Sequence, residues 1–171
     1  MEVICDSGPL MALGKLNLLY LLRRLYGKVV ISNAVYKEAV TSGRLKGYQD
    51  ASTIELFLNQ NRWEAVEVDT EEIDSEIRSL KLDDGEIESI HLAMKTADSL
   101  ILLDDEKARE EARKRGLRVK GTVGILVEAY RRNMIGFEEL KLFFEEIAKR
   151  RDIWISRELC KDVIRELSQN L

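Results

Sequence analysis

Short apolar runs alternate along this chain with longer stretches in which apolar positions recur at helical spacing. Met1–Cys5 is such a run, closed by Asp6-Ser7-Gly8-Pro9; it predicts a buried strand and then a helix, with Pro9 suited to a first helical position. Leu10–Leu13 and Leu16–Leu25 carry dense leucines at helical spacing. Lys28–Ile31 predicts a second strand, Ser32 or Asn33 a cap, and Ala34–Val40 a helix. Thr41–Tyr48 is polar and glycine-containing and reads as a loop. Ala51–Gln60 predicts a helix, Trp63–Val68 a third strand, and Glu71–Leu80 a helix with Ile73, Ile77 and Leu80 on one face. Asp83-Asp84-Gly85-Glu86 opens a helix reaching about Ala97. Ser99–Leu103 predicts a strand, Asp104-Asp105 open a helix through Arg115, and Gly116 ends it. Leu117–Lys120 reads as a short strand and Gly121–Arg132 as a helix with Thr122 as its cap. Two amphipathic helices, Phe137–Arg150 and Ser156–Leu167, complete the pattern.

Strands alternating with helices imply βαβ units and a parallel sheet covered on both faces. Ligands of such sheets bind beyond the carboxyl ends of the strands. At those ends stand Asp6, Ser32-Asn33 and Asp104-Asp105. Glu38 lies about one and a half turns into the helix after Ser32, and Glu86 lies in the first turn of its helix.

Composition narrows the chemistry. A length of 171 residues, 45% of them hydrophobic, supports one globular domain with its own core. A net charge of −4 argues against a general polyanion binder, so any nucleic-acid contact must be local. Cys5 and Cys160 lie too far apart in the chain for a CxxC metal site or a disulfide scaffold. The N-terminus lacks the pattern of a signal peptide and no apolar run has the length of a membrane span, so the expected location is the cytoplasm. His91 is the single histidine, which leaves carboxylates as the candidates for chemistry; it lies about 140° around the helix from Glu86 and reads as structural.

Each acid alone has an ordinary explanation. Asp6 can cap the helix near Pro9, Asp83-x-x-Glu86 has the form of a capping box, and either Asp104 or Asp105 can be an N-cap. With 31 acidic residues, some carboxylates at element ends are expected by chance. Together they say more. Two strands distant in sequence both end in aspartate, and at the switch point of a doubly wound sheet such strands are neighbours. Two like charges about 4 Å apart repel by roughly 4 kcal/mol at an effective dielectric near 20. A divalent cation removes that penalty, and an all-oxygen anionic donor set selects Mg²⁺ or Mn²⁺.

The segments VICDSGPLMALGKL, VVISNAVYKEAV, LDDGEIESIHLAMK and LILLDDEKAREEARKRGLRVKGTVGILVEAYRRNMI, closed by RDIWISRELCKDVI, stand in this order along nearly the whole chain. In that ordered set the chain resembles the PIN-domain superfamily of metal-dependent ribonucleases, in a prokaryotic, largely archaeal branch related to the VapC toxins. The resemblance implies a three-layer α/β/α fold with a central parallel sheet of about four or five strands, as a core over residues 1–135 and a helical extension over 136–171. It places the family's acids on Asp6, Glu38, Glu86 and the pair Asp104 and Asp105. Of these Asp6, Glu38, Glu86 and Asp105 are expected to bind Mg²⁺ or Mn²⁺, with Asp104 assisting. It further implies endoribonuclease activity through a metal-activated water, a homodimer, and, for toxin members, a small antitoxin. Two positions differ from many members: Glu86 replaces an aspartate, and Leu103 stands where a Thr or Ser is common. Ser7 offers a hydroxyl beside Asp6 instead.

These departures keep open a second reading, a PIN-like module that binds RNA or protein without cutting. A receiver-like phosphoacceptor domain would carry an acid pair after its first strand, whereas this chain has Asp6-Ser7. Gly121-Thr122-Val123-Gly124 can cradle a phosphate but reads better as a capped helix packed closely on the sheet. The basic segment Lys107, Arg109, Arg113, Lys114, Arg115, Arg118 and Lys120, with Arg131 and Arg132, is either an RNA contact or a solvated helix pairing with Glu106, Glu110 and Glu111.

Overall fold

The structure is a computed structural model that describes residues 1–169. The chain divides into two compact units, Met1–Thr122 and Val123–Leu171. The first holds the sheet. Strands β1 (Glu2–Cys5), β2 (Ser99–Leu102) and β3 (Arg118–Lys120) lie side by side in that order, all parallel. Ile4 stands opposite Ile101, and Leu102 opposite Lys120. All four residues of β2 and the last three of β1 are buried, the continuous apolar pattern of strands covered on both faces.

Two segments expected as strands make single bridges instead. Val30 bridges Ile4, its N–H donating to the Val3 carbonyl at 2.8 Å, and Val66 bridges Ser32. Past that second bridge the chain turns helical, with the Ser32 Oγ capping the next helix by accepting from the Val35 N–H at 3.2 Å.

The helices of the first unit are α1 (Ser7–Lys15), α2 (Tyr20–Tyr26), α3 (Asn33–Tyr36), α4 (Gly43–Leu45), α5 (Gln49–Asn61), α6 (Ser75–Arg78), α7 (Asp84–Lys95) and α8 (Glu106–Lys114). Their apolar faces bury Leu10, Leu13, Leu21, Leu22, Ile54 and Leu58 on α1, α2 and α5. A second cluster joins Ile4 and Ile101 to Ile73, Ile77, Ile90, Ala108 and Ala112. The leucines of the 10–25 region are thus largely spent on the core of their own unit.

Several boundaries differ from the sequence pattern. Pro9 is the third helical residue, because the Asp6 carboxylate starts α1 at Ser7 by accepting from the Gly8 N–H. Of the segment expected as a loop, Thr41–Tyr48, the part through Leu45 is helical, because a π-helical stretch, Lys37–Ser42, runs from α3 into α4; only Lys46–Tyr48 turns away from the helix. Glu71–Leu80 is a 3₁₀ turn, Thr70–Glu72, followed by α6, each started by an aspartate cap, Asp69 and Asp74. Ile73 and Ile77 are nonetheless buried there.

The second unit carries α9 (Thr122–Arg131) from Val123 onward, α10 (Phe137–Lys149) and α11 (Arg157–Ser168). Within it α10 buries Leu140, Phe144 and Ile147, and α11 buries Cys160. Among the described residues no helix is long and apolar enough to cross a membrane.

Candidate metal centre

Asp6 follows β1 directly, and its backbone is tied to the neighbouring strand by donation from its N–H to the Leu102 carbonyl at 3.0 Å. The side chain is 3% exposed. Oδ2 accepts from the Gly8 N–H at 3.2 Å, while Oδ1 is buried without a hydrogen-bond partner. An anionic oxygen in that state is costly. Burial and the charge of Asp83 push the Asp6 carboxyl well above the usual carboxylate range, with Glu86 adding to the rise.

Glu38 sits in the π-helical stretch, a wider turn of the kind often found at functional positions. Its carboxyl is also raised, first by burial and then by Asp83 and Asp84, against hydrogen bonds from the Ser7 side chain and the Gly85 backbone. The hydroxyl of Ser7 is therefore engaged with an acid, though with Glu38 rather than Asp6.

Asp83 completes the group. One oxygen each from Asp6, Glu38 and Asp83 lies within 4.8 Å of the others. Asp83 is also the N-cap of α7: its Oδ1 accepts from the Glu86 N–H at 2.9 Å, and Glu86 Oε2 accepts from the Asp83 N–H at 3.1 Å. The expected capping box is present. Gly85 leaves room beside it, since a Cβ there would lie 2.9 Å from Glu38 Oε2 and 3.3 Å from Asp6 Oδ1.

This constellation lies at the end of a parallel strand and beside the first turn of a helix. A family of PIN domains (DUF3368) matches the chain over residues 2–169. The chain belongs to the PIN-domain family. No curated protein and no solved structure matches it.

In this PIN domain the remaining expected acids have other engagements. Glu86 is 7% exposed and held in the capping box; burial raises its carboxyl to about 7, with Asp83, Asp105 and Glu38 contributing repulsion. Asp105 is exposed and caps α8, accepting from the Ala108 N–H at 2.9 Å. Asp104 turns to Thr122, with Oδ1 accepting from its N–H at 2.7 Å and Oδ2 from its hydroxyl at 2.6 Å. Thr122 is accordingly the first residue of α9, and the capping oxygen comes from Asp104. Burial raises Asp104, opposed by the two Thr122 bonds and the charge of Arg109.

The structure thus gathers Asp6 and Glu38 with Asp83, which sequence reasoning assigned to capping alone. The cap role explained Asp83 completely at the level of sequence. Only the side-chain cluster shows a second use. His91 is buried, with burial lowering its pKa, and is absent from the acid cluster. Four of the nine residues of the basic segment are ion-paired: Lys114 with Glu110 and Glu111, Arg115 with Glu111 and Glu76, Arg118 with Asp98, and Arg132 with Glu128.

The donor set fits a hard dication. Its three groups are carboxylates, one oxygen is buried and unpartnered, and two of the acids are held in environments that disfavour their charged forms. A cation among them would reverse each of those penalties.

Proposed function

We propose that this PIN domain is a Mg²⁺- or Mn²⁺-dependent endoribonuclease. The observation that carries the reading is the partnerless buried Oδ1 of Asp6 grouped with oxygens of Glu38 and Asp83. Membership in a nuclease-rich family supports it. Asp6, Glu38 and Asp83 would hold the ion, with Glu86 and Asp105 beside them. When bound, such an ion supplies activation of water and stabilisation of the departing oxygen in phosphodiester hydrolysis.

The protein's own groups do the rest. The Ser7 hydroxyl and the Gly85 N–H orient Glu38 by their hydrogen bonds to it. The capping box fixes Asp83 at the head of α7. Asp104 fixes the start of α9 through Thr122 and acts as a positioning residue. Glu86, raised to about 7, is suited to hold a proton near neutral pH at the edge of the group.

The fold reading extends the same way. We take the singly bridged segments at Val30 and Val66 as the outer strands of a five-stranded, three-layer α/β/α domain. A homodimer and neutralisation by a small antitoxin belong to the same proposal, by analogy with the toxin branch of the family.

One observation favours a non-cutting module: Glu86, Asp104 and Asp105 all accept hydrogen bonds from backbone N–H groups. Titration calorimetry with Mn²⁺, followed by cleavage of a single-stranded RNA, separates the readings. The nuclease reading expects binding and Mn²⁺-dependent cleavage, both lost in Asp6→Asn. Binding without cleavage would favour the module, and unchanged cleavage in Asp6→Asn would overturn the assignment of the site.

A further inference from the structure

The stretch from the end of α10 through most of α11 concentrates positive charge in an otherwise acidic chain. Residues 149–165 hold six cationic and three acidic side chains, against a net charge of −4 for the whole. Some of those cations are paired: Arg150 with Asp152 and Glu146, and Arg165 with Asp162. Arg151, Arg157 and Lys161 are exposed and make no ion pair among the described residues. Glu158 is the one acid of the stretch left likewise, in the first turn of α11, where the helix dipole favours it.

Between Arg151 and Arg157 in the chain stands Trp154, 91% exposed. The other tryptophan, Trp63, is buried and packed edge-on against Phe57. Beside the connection, α10 and α11 enclose an apolar groove of about 260 Å³ whose walls include Phe144, Cys160 and Ile164 and whose edge carries Lys141, Arg157 and Lys161. Its rim is thus mainly cationic, with Glu145 as its one acidic member.

We infer that this face of the second unit is a platform for single-stranded RNA, on which Trp154 stacks a base while Arg151, Arg157 and Lys161 take backbone phosphates. An exposed indole flanked by unpaired cations supplies the two interactions that bind single strands without sequence preference. The cationic excess of this stretch and of the groove's rim favours a polyanion over a neutral apolar partner. The inference takes its ligand class from the nuclease reading, but uses none of the carboxylates of that site.

The test is fluorescence titration of the full chain with a short oligouridylate in EDTA, where binding is read without cleavage. Trp154 is the accessible fluorophore, so binding is expected to quench emission. Trp154→Ala is expected to weaken affinity about tenfold or more, measured by anisotropy of a labelled oligonucleotide. The double variant Arg151→Ala, Arg157→Ala is expected to reduce the dependence of log affinity on log salt. All three side chains are exposed, so circular dichroism should be unchanged. Absence of quenching, or equal affinity for wild type and Trp154→Ala, overturns the platform. So does sedimentation showing a dimer that Trp154→Ala dissociates, since the face would then be covered by a second copy. Loss of cleavage in Asp6→Asn with unchanged binding in Trp154→Ala would sink the platform and leave the nuclease standing; the converse pair of results would do the opposite.

Discussion

Gly85 and Glu38 occupy one another's space: a Cβ on Gly85 would stand 2.9 Å from Glu38 Oε2. The glycine lies in the first turn of α7, where alanine would ordinarily stabilise the helix by about 0.5–1 kcal/mol. The obstructing atom is the far end of a flexible side chain, so Gly85→Ala should fold normally while displacing Glu38. The expected result is an unfolding midpoint at or above wild type together with Mn²⁺ affinity lowered by about tenfold, the scale of a perturbed ligand shell. Unchanged affinity by calorimetry would remove Glu38 from the ion's ligands.

Asp6 carries an unpartnered oxygen in a buried site with like charges around it. Asp6→Asn removes the charge and keeps the oxygen that accepts from Gly8. The metal-free variant should therefore be more stable than wild type at neutral pH, by about 1 kcal/mol or more on the scale of buried polar substitutions. Urea unfolding in EDTA measures this. A variant less stable than wild type would show that the buried Asp6 carboxylate is not a net cost to the folded protein.

The raised carboxyls set a pH dependence with a definite sign. Glu86 is lifted from 4.5 to about 7, and Asp6 and Glu38 are shifted in the same direction. Across that window the folded state binds more protons than the unfolded state, so stability falls as pH rises. The metal-free protein should be most stable near or below pH 4.5 as far as Glu86 is concerned, and lose that contribution by about pH 7. Glu86→Gln keeps an acceptor for the capping box and removes the titration. Its unfolding midpoint should vary less with pH over this range than that of wild type.

Thr122 donates both its N–H and its hydroxyl to Asp104. Thr122→Val preserves shape and deletes the hydroxyl, leaving Asp104 Oδ2 short of a partner. A loss of about 1–3 kcal/mol is expected in the unfolding free energy. Mn²⁺ affinity should hold within a factor of about three, since Asp104 is outside the three-carboxylate group. A large fall in affinity with stability intact would instead make Asp104 a ligand.

Local pattern alone determined much of this protein. The apolar runs at Val3–Cys5 and Leu100–Leu102 read as buried strands, and the three-residue spacing of Asp83 and Glu86 wrote their capping box into one helical turn. These follow from interactions within a turn or two of chain, or from continuous burial. The π-helical stretch through Glu38 and the single bridges at Val30 and Val66 depended on packing between distant segments, which periodicity does not encode. The same holds for the acids. Sequence placed Asp6, Glu86, Asp104 and Asp105 at element ends and Glu38 within a helix, but a carboxylate's use is set by which groups tertiary contact brings within a few ångströms. Only the folded chain decided that Asp83 joins Asp6 and Glu38, and that Asp104 turns instead to Thr122.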